Sequence, residues 1–152
     1  MDRRSIVLVE DNPDDQFLAV RALSRLVDKS AIHVLNDGQE ALDCLLGSPL
    51  TLPSIDLDSI AVILLDIKLP KINGLEVLRA LRSSPRAQWI PVVMVTSTDE
   101  PHELVDAYRL GANSYLVKPI DYGEFKARME VLANYWLNVN SIPLVESGER
   151  NG

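Results

Sequence analysis

The sequence predicts a doubly wound α/β fold, in which one five-stranded parallel sheet is covered by helices on both faces. Short apolar segments rich in β-branched residues recur along the chain, and their unbroken apolarity is typical of strands buried on both faces. Segments with the helical spacing of apolar residues lie between them, which favours right-handed strand–helix–strand crossovers. The 152 residues, 47% of them hydrophobic, suit a single domain with a core of ordinary size.

The first half of the chain contains two predicted strand–helix units. Residues 5–9 form the first strand, and the helix after it has Asp14 as its candidate N-cap. Residues 31–35 are a weaker strand candidate, followed by a helix that opens at Asp37. The segment 47–59 carries two prolines among serine, threonine and aspartate residues, so it is predicted to be a surface loop.

The second half contains three further units. Residues 60–65 form the third strand, and an Asn-Gly pair ending at Gly74 opens the helix after it. Residues 91–95 form the fourth strand, and its helix is predicted to end at Gly111, since glycine accepts the left-handed conformation that follows many helices. Residues 114–117 form the fifth strand.

The C-terminal part is predicted to hold one helix and a tail. Apolar residues recur at spacings of three and four from Phe125 to Val139. We therefore expect one domain over residues 4–140 and a partly disordered tail over residues 141–152. Only 34 residues follow Lys118, which is too few for a helix-turn-helix output domain, so no output domain is expected.

Composition and charge exclude several classes of protein. The 22 acidic residues outnumber the 15 basic ones, and the net charge of -7 argues against a general nucleic-acid binder. Cys44 is the only cysteine, which excludes an intramolecular disulfide and a cysteine-based zinc site. No apolar segment approaches the ~20 residues of a membrane span, and the N-terminus does not resemble a signal peptide. We expect a cytoplasmic protein without a membrane partner.

Polar side chains follow the predicted strands at their carboxyl ends. These side chains are Glu10, Asp11, Asp66, Thr96 and Lys118. In a doubly wound sheet the carboxyl ends of the strands meet at one edge, where ligands bind. The sequence therefore predicts that three carboxylates, a hydroxyl and an ammonium converge at that edge.

The chemistry of this set favours a phosphoryl group beside a hard cation. Neighbouring carboxylates repel one another unless a cation neutralises them, and Mg²⁺ prefers carboxylate, water and phosphate oxygens. A lysine and a hydroxyl opposite that ion suit the oxygens of a phosphoryl group. Asp66 would then be the nucleophile that forms an aspartyl phosphate.

Three segments of the sequence carry a resemblance to a known family. Val-Leu-Val-Glu-Asp-Asn, Leu-Leu-Asp-Ile-Lys-Leu-Pro and Tyr-Leu-Val-Lys-Pro, together with Thr96 and Gly74 at their positions, resemble the signature of two-component receiver domains. The likeness covers about residues 4–138. It implies a flavodoxin-like (βα)₅ fold with strand order 2-1-3-4-5, and a sensor histidine kinase as the source of the phosphoryl group.

The resemblance also implies a role for each matching residue. Asp66 corresponds to the phosphoacceptor. Glu10, Asp11 and Asp66 correspond to the side chains that hold Mg²⁺, with the backbone carbonyl of Lys68 as a further ligand. Lys118 would pair with the phosphoryl oxygens, as part of a catalytic set with Asp66 and Thr96.

The resemblance further implies a conformational switch and a surface that it controls. Thr96 would hydrogen-bond the phosphoryl group, and Tyr115 would turn inward as the Thr96 hydroxyl moves, which alters the face formed by the fourth helix, fifth strand and fifth helix. The peptide bond that corresponds to Lys118–Pro119 is usually cis in the family, although X–Pro bonds in general are mostly trans, so the sequence leaves its state open. Lys68 and Thr98 flank the site at positions that tune phosphate lifetime in the family.

The last helix suggests an interaction surface. The candidate interface residues of a homodimer are Tyr108, Tyr135, Trp136 and Val139, because tyrosine and tryptophan are enriched at interface anchors. Alternatively, Trp136 covers the edge of the sheet. The Tyr-Trp pair, the long loop before the third strand and the Glu-Asp-Asn-Pro start resemble small response regulators paired with phytochrome-type histidine kinases.

Two other classes of protein would need residues that this sequence lacks. A haloacid-dehalogenase-type phosphatase would need a second aspartate where Lys68 stands. A flavodoxin-like cofactor binder would need a phosphate loop where the acidic pair Asp14 and Asp15 follows the first strand; we expect this pair to stabilise the helix N-terminus instead. A pseudo-receiver or a phosphorelay intermediate, acting as a constitutive interaction module, remains the alternative. We do not expect an enzyme that acts on outside substrates.

Overall fold

The computed structural model describes residues 3–47 and 55–143, and these form one five-stranded parallel sheet. The strands are β1 (Ser5–Val9), β2 (Ile32–Leu35), β3 (Ile60–Leu65), β4 (Val92–Thr96) and β5 (Ser114–Val117). Their order across the sheet is β2-β1-β3-β4-β5, and all four pairings are parallel. The predicted fold class and strand order are confirmed.

Five helices connect the strands and cover both faces of the sheet. They are α1 (Pro13–Leu23), α2 (Gly38–Leu46), α3 (Gly74–Ser83), α4 (Pro101–Arg109) and α5 (Tyr122–Asn134). Short 3₁₀ turns occupy Lys29–Ala31 and Leu57–Ser59, and a π-helical turn, Tyr135–Val139, extends α5. One hydrophobic core lies under α2, α3 and α4, and the other lies under α1 and α5.

The central strands owe their unbroken apolarity to this double burial. Every residue of β1, β3 and β4 is buried. Alternate residues of β1 point to opposite cores, so that Ile6 belongs to the core under α1 and α5 and Val7 to the other. The sequence pattern was therefore correctly interpreted as parallel strands covered on both faces.

Three predicted element boundaries were wrong. Strand β2 begins at Ile32 rather than at residue 31, because Ala31 belongs to a 3₁₀ turn. The N-cap of α1 is Asn12 rather than Asp14, because the Asn12 side chain accepts the backbone N–H groups of Asp14 and Asp15 at 2.9 and 3.2 Å, with Pro13 as the first helical residue. Strand β4 begins one residue later than predicted and includes Thr96, which pairs with β5 at Val117.

The backbone conformations at Gly111 and at Lys118–Pro119 test two further expectations. Gly111 follows α4 with a φ of 103°, as its position after the helix predicts. The Lys118–Pro119 peptide bond is trans, not cis as is usual in the family, in keeping with the general trans preference of X–Pro bonds. Residues 48–54 of the predicted loop and 144–152 of the predicted tail lie outside the described residues. Within the described residues, no helix is long and apolar enough to cross a membrane.

Candidate functional site

The carboxyl ends of β1 and β3 place two acidic residues side by side. Val9 and Leu65 are the last residues of these paired strands and lie opposite each other in the register. The next residues along the chain are therefore neighbours: Asp66 donates its backbone N–H to the Val9 carbonyl at 3.1 Å, and Glu10 donates its own to Leu35 of β2. Strand pairing thus fixes the backbone of both acids.

Three carboxylates converge at this edge of the sheet, as the sequence predicts. One oxygen each of Glu10, Asp11 and Asp66 lie within 4.8 Å of one another. Glu10 and Asp66 are only 3% and 6% exposed, whereas Asp11 faces solvent. Oxygen donors of this kind and charge fit a hard divalent ion such as Mg²⁺.

Lys118 balances part of this negative charge from the end of β5. Its Nζ contacts Glu10 Oε1, Asp15 Oδ2 at 2.9 Å and Asp66 Oδ2 at 3.2 Å. Burial by itself would lower the pKa of Lys118, but its hydrogen bonds to Glu10 and Asp15 and the charge of Asp66 raise that pKa above its ordinary value. Lys118 is therefore a fixed cation in contact with Asp66.

Glu10 is a carboxyl group whose pKa reflects its burial more than its neighbours. Burial raises the pKa of Glu10, and the charge of Asp66 raises it further, although hydrogen bonds from Lys118 and the Asn12 backbone act in the opposite direction. The site brings the carboxylates of Glu10, Asp11 and Asp66 together beside the single ammonium of Lys118, so one positive charge does not balance them. A divalent cation would complete the compensation.

Asp15 belongs to the site, contrary to the expectation that it serves only the helix terminus. It lies in the first turn of α1, as predicted, and its carboxylate also pairs with Lys118. Asp15 is the third residue of α1, and the helix begins only four residues after the last residue of β1. This short connection from the carboxyl end of β1 was the sequence signal for its approach to the site.

Thr96 and Tyr115 lie on adjacent strands beside the acidic cluster. Thr96 ends β4 and is completely buried, and Tyr115 on β5 donates its hydroxyl to the Thr98 carbonyl at 2.9 Å. Burial, together with the charges of Glu103 and Asp66, raises the pKa of Tyr115 to about 12. The aromatic ring is thus tied to the loop between β4 and α4.

Gly74 allows the loop after Asp66 to fold back on itself. The Gly74 N–H donates to the Ile67 carbonyl at 2.8 Å. A Cβ atom at this position would lie 1.9 Å from the Asp66 carbonyl oxygen, which no side chain can tolerate. The start of α3 can therefore pack against the acidic site only through a glycine.

The candidate interface residues differ in exposure. Tyr108 on α4 and Tyr135 and Val139 in the π-helical turn are exposed, at 50%, 45% and 63%. Trp136 is half-buried, packs against the core under α1 and α5, and meets the edge of the Tyr135 ring at a centroid distance of 4.9 Å. Packing against the core agrees with the alternative in which Trp136 covers the sheet.

The family described as the response regulator receiver domain matches residues 6–130. This chain belongs to that family. Among known proteins, the probable methanogenesis regulatory protein FilR2 of Methanothrix harundinacea is 39% identical over 141 residues, covering 91% of this chain and 86% of FilR2. Response regulator Rcp1 of Synechocystis is 30% identical over 140 residues, covering 91% of this chain and 92% of Rcp1.

Solved structures of similar receivers include proteins associated with phytochromes. The Mn²⁺-bound form of Rcp1 superposes with a TM-score of 0.81 at 28% identity, covering 93% of this chain and 99% of that one. The phosphorylated cyanobacterial phytochrome response regulator RcpA gives 0.83 at 28% identity with the same coverage. The bacteriophytochrome response regulator AtBRR gives 0.69 at 40% identity, covering 96% of this chain and all of that one.

Membership of the receiver family carries general properties. Receivers are the response-regulator half of two-component signalling, which implies a histidine kinase partner. Phosphorylation and the binding of a divalent metal are general to the family, and the structures of RcpA and Rcp1 are examples of these two states. Several relatives of this receiver are phytochrome-associated.

Proposed function

We propose that this receiver accepts a phosphoryl group from a sensor histidine kinase on Asp66, with Mg²⁺ held by Glu10, Asp11 and Asp66. The observation that carries the proposal is the convergence of these three carboxylates, two of which, Glu10 and Asp66, contact the Lys118 ammonium. The carbonyl of Lys68, two residues after Asp66, is the further ligand that we assign to the ion. This assignment remains a prediction.

The chemistry that we propose is nucleophilic attack by a carboxylate. An oxygen of Asp66 attacks the phosphorus of a phosphohistidine, so that a P–O bond forms as the P–N bond breaks; the imidazole nitrogen keeps the bonding electrons and takes a proton from solvent. When bound, the metal ion neutralises charge on the carboxylates and the phosphoryl oxygens. The Ile67 N–H, 2.7 Å from Asp66 Oδ1, orients the nucleophile, and Lys118 binds the oxygens of the transferred group.

The signal that follows is a rearrangement of the face formed by α4, β5 and α5. In this proposal the Thr96 hydroxyl bonds a phosphoryl oxygen, and Tyr115 responds through the loop to which its hydroxyl is already bonded. Tyr108 and Val117 are exposed large hydrophobic residues on this face. We propose that such residues make protein contacts, including those of a homodimer.

The partner that the relatives favour is a phytochrome-type histidine kinase in the cytoplasm. This proposal is supported by the similarity to RcpA and AtBRR, which their names associate with phytochromes. The receiver would act by binding proteins rather than as an enzyme on outside substrates. Its catalysis would be limited to its own phosphotransfer and hydrolysis.

The phosphoacceptor is tested by comparing two aspartate variants of the same chain. Asp66→Asn should abolish incorporation of radioactive phosphate from an autophosphorylated sensor kinase or from acetyl phosphate in the presence of Mg²⁺. Asp14→Asn is the matched control, because Asp14 is exposed and makes its contact with Asn12 through its backbone rather than its carboxylate. Phosphate on Asp66→Asn, or no phosphate on the parent, would overturn the proposal.

The oligomeric response needs a separate measurement. Sedimentation with Mg²⁺, with and without beryllofluoride as a phosphate mimic, should show a change in mass in the parent but not in Asp66→Asn. An identical dimer in every sample would mean that dimerisation is constitutive. The phosphoryl group would then have to act on another surface.

A further inference from the structure

A second ion pair joins the loop after Asp66 to the first turn of α4. Lys68, two residues after Asp66, places its Nζ 2.7 Å from Glu103 Oε1. The two partners differ sharply in exposure, because the Lys68 side chain is 63% exposed and that of Glu103 only 8%. The pair thus bridges the site loop and a nearly buried carboxylate on a helix that belongs to the proposed signalling face.

Glu103 does not serve the helix terminus on which it lies. It is the third residue of α4, after the N-cap Glu100 and Pro101, where a glutamate commonly reaches back to the N-cap N–H. Here the Thr98 hydroxyl accepts that N–H, at 3.3 Å. The N-cap side chain makes no capping hydrogen bond. The Glu103 carboxylate is therefore directed to a tertiary contact.

The attachment of α4 to the protein depends on few buried groups. Only Glu103 and Ala107 are buried in this helix, whereas α3 buries Gly74, Val77, Leu78 and Leu81. The second oxygen of Glu103, Oε2, is buried and has no hydrogen-bond partner among the described residues. The Glu103 carboxylate is held first by the Lys68 ammonium and also by a hydrogen bond with the Thr98 side chain.

We propose that Glu103 is a positioning residue, which holds the ammonium of Lys68 and thereby keeps the loop after Asp66 in the conformation that binds the divalent ion. This inference rests on the proposed function, because it assumes the metal site of Glu10, Asp11 and Asp66. Breaking the pair from either side should loosen the loop. It should also release the first turn of α4, so the pair links the metal site to the signalling face.

The direction of one mutational effect separates positioning from simple electrostatics. Lys68→Met removes a positive charge near the site, so electrostatics alone would make the site bind Mn²⁺ more tightly. Positioning predicts the opposite: weaker binding, by about two- to fivefold, the range expected for the loss of a partly exposed ion pair. Free Mn²⁺ measured by electron paramagnetic resonance gives the dissociation constant without any phosphorylation step.

The matched control is another lysine of the same loop. Lys71→Met removes the same charge, but Lys71 pairs with Asp37 of the α2 N-cap at 3.5 Å and makes no ion pair with α4. This variant should bind Mn²⁺ at least as tightly as the parent. Weakening in Lys71→Met equal to that in Lys68→Met would show a general effect of the loop and overturn the proposal.

A double-mutant cycle tests whether the two residues act together. Glu103→Gln should weaken Mn²⁺ binding by the same factor as Lys68→Met, and the double variant should be no weaker than either single variant. Amides in the first turn of α4 should exchange with deuterium faster in all three. The positioning role would be refuted if the two single variants' fold-changes in the Mn²⁺ dissociation constant multiplied in the double variant. It would also be refuted if Lys68→Met bound Mn²⁺ as tightly as the parent or more tightly.

Failure of the proposed function would look different. A parent chain that binds Mn²⁺ but takes no phosphate would overturn the phosphoacceptor assignment, while the series of dissociation constants would still decide the role of Glu103. Unchanged Mn²⁺ binding in Asp66→Asn would place the ion elsewhere and overturn the positioning proposal. Absence of Mn²⁺ binding in the parent would overturn both proposals.

Discussion

Replacement of Lys118 by methionine gives the sharpest test of the charge balance at the site. The ammonium contacts Glu10, Asp15 and Asp66, and the Lys118 side chain is only 11% exposed. Methionine keeps most of the aliphatic stem and its packing, and removes the charge. The variant therefore leaves two nearly buried carboxylates without their cation.

The magnitude of the destabilisation follows from the protonation of Glu10. Removing one partner of a buried ion pair typically costs about 3–5 kcal/mol, but a carboxylate can escape this cost by taking up a proton. With an ordinary pKa of 4.5 for Glu10, protonation at pH 7 costs about 1.4 kcal/mol per pH unit over about 2.5 units, or about 3.4 kcal/mol. That value is a ceiling for the part of the destabilisation that comes from Glu10, and it lies below the ~5–15 kcal/mol stability of a typical domain.

The raised pKa of Glu10 also fixes the sign of the pH dependence. Burial raises the pKa of Glu10 in the folded state, so the folded protein holds this proton more tightly than the unfolded chain does. The contribution of Glu10 to the free energy of unfolding therefore falls as pH rises above 4.5, until the pH passes the folded-state pKa of Glu10. At pH 5.5, one unit above the ordinary pKa of Glu10, the ceiling on the destabilisation that comes from Glu10 drops to about 1.4 kcal/mol.

Urea unfolding at pH 5.5 and pH 7 measures both quantities. Lys29→Met is the control, because Lys29 is exposed and lies in a 3₁₀ turn away from the site. We expect Lys118→Met to lose about two to three times more stability at pH 7 than at pH 5.5, and Lys29→Met to lose little at either pH. An equal loss at both pH values, or a loss no larger than the control, would refute the charge argument.

Mg²⁺ should restore much of what Lys118→Met loses. A divalent ion neutralises the same carboxylates, and a ligand at 100 times its dissociation constant stabilises the folded state by about 2.7 kcal/mol. Because no ammonium then repels the ion, Mg²⁺ should raise the unfolding midpoint of the variant more than that of the parent. An equal shift in the two proteins would show that Lys118 and the ion do not share a site.

Three further predictions concern Gly74, Tyr115 and Arg82, which lie outside the acidic cluster. Gly74→Ala should destabilise the folded protein by about 2–4 kcal/mol and weaken Mn²⁺ binding, because the added Cβ would overlap the backbone of Asp66. The control is Gly123→Ala in α5, where the nearest atom is 3.2 Å away on a side chain. In thermal unfolding it should be neutral or stabilising by up to about 1 kcal/mol. Tyr115→Phe should remove the tyrosinate transition at about pH 12 from an ultraviolet titration. Between pH 10 and 12 the unfolded chain releases the Tyr115 proton before the folded protein does, so the parent loses stability there. Tyr115→Phe should lessen this loss. Arg82→Met should lower the free energy of unfolding in urea by about 2–4 kcal/mol, because the Arg82 guanidinium donates to four oxygens around the ends of α3 and α4. The control is Arg79→Met, which should lower it by less than about 0.5 kcal/mol because the Arg79 side chain is exposed. Equal losses in either matched pair, or a late titration phase that persists in the tyrosine variant, would contradict these arguments.

Local patterns were sufficient for most of the fold. Strand β3 is buried along its whole length, so its apolar sequence allows no other interpretation, and α2 and α3 begin at the residues where Asp37 and Asn73 cap them. The N-cap of α1 was misplaced because Asn12, Asp14 and Asp15 are all acceptable cap residues. Only the position of Pro13 as the first helical residue distinguishes them.

The sequence by itself determined which chemical groups reach the carboxyl edge of the sheet. Glu10, Asp66 and Lys118 each follow a strand directly, and parallel strands end at a common edge, so their convergence is a consequence of local pattern and topology. Only the tertiary structure decided that Asp15 shares Lys118 and that Glu103 pairs with Lys68. Both contacts join long side chains on different elements, and their geometry depends on how a helix is rotated against its neighbours. That rotation is set by packing over the whole core, which no short segment of sequence specifies.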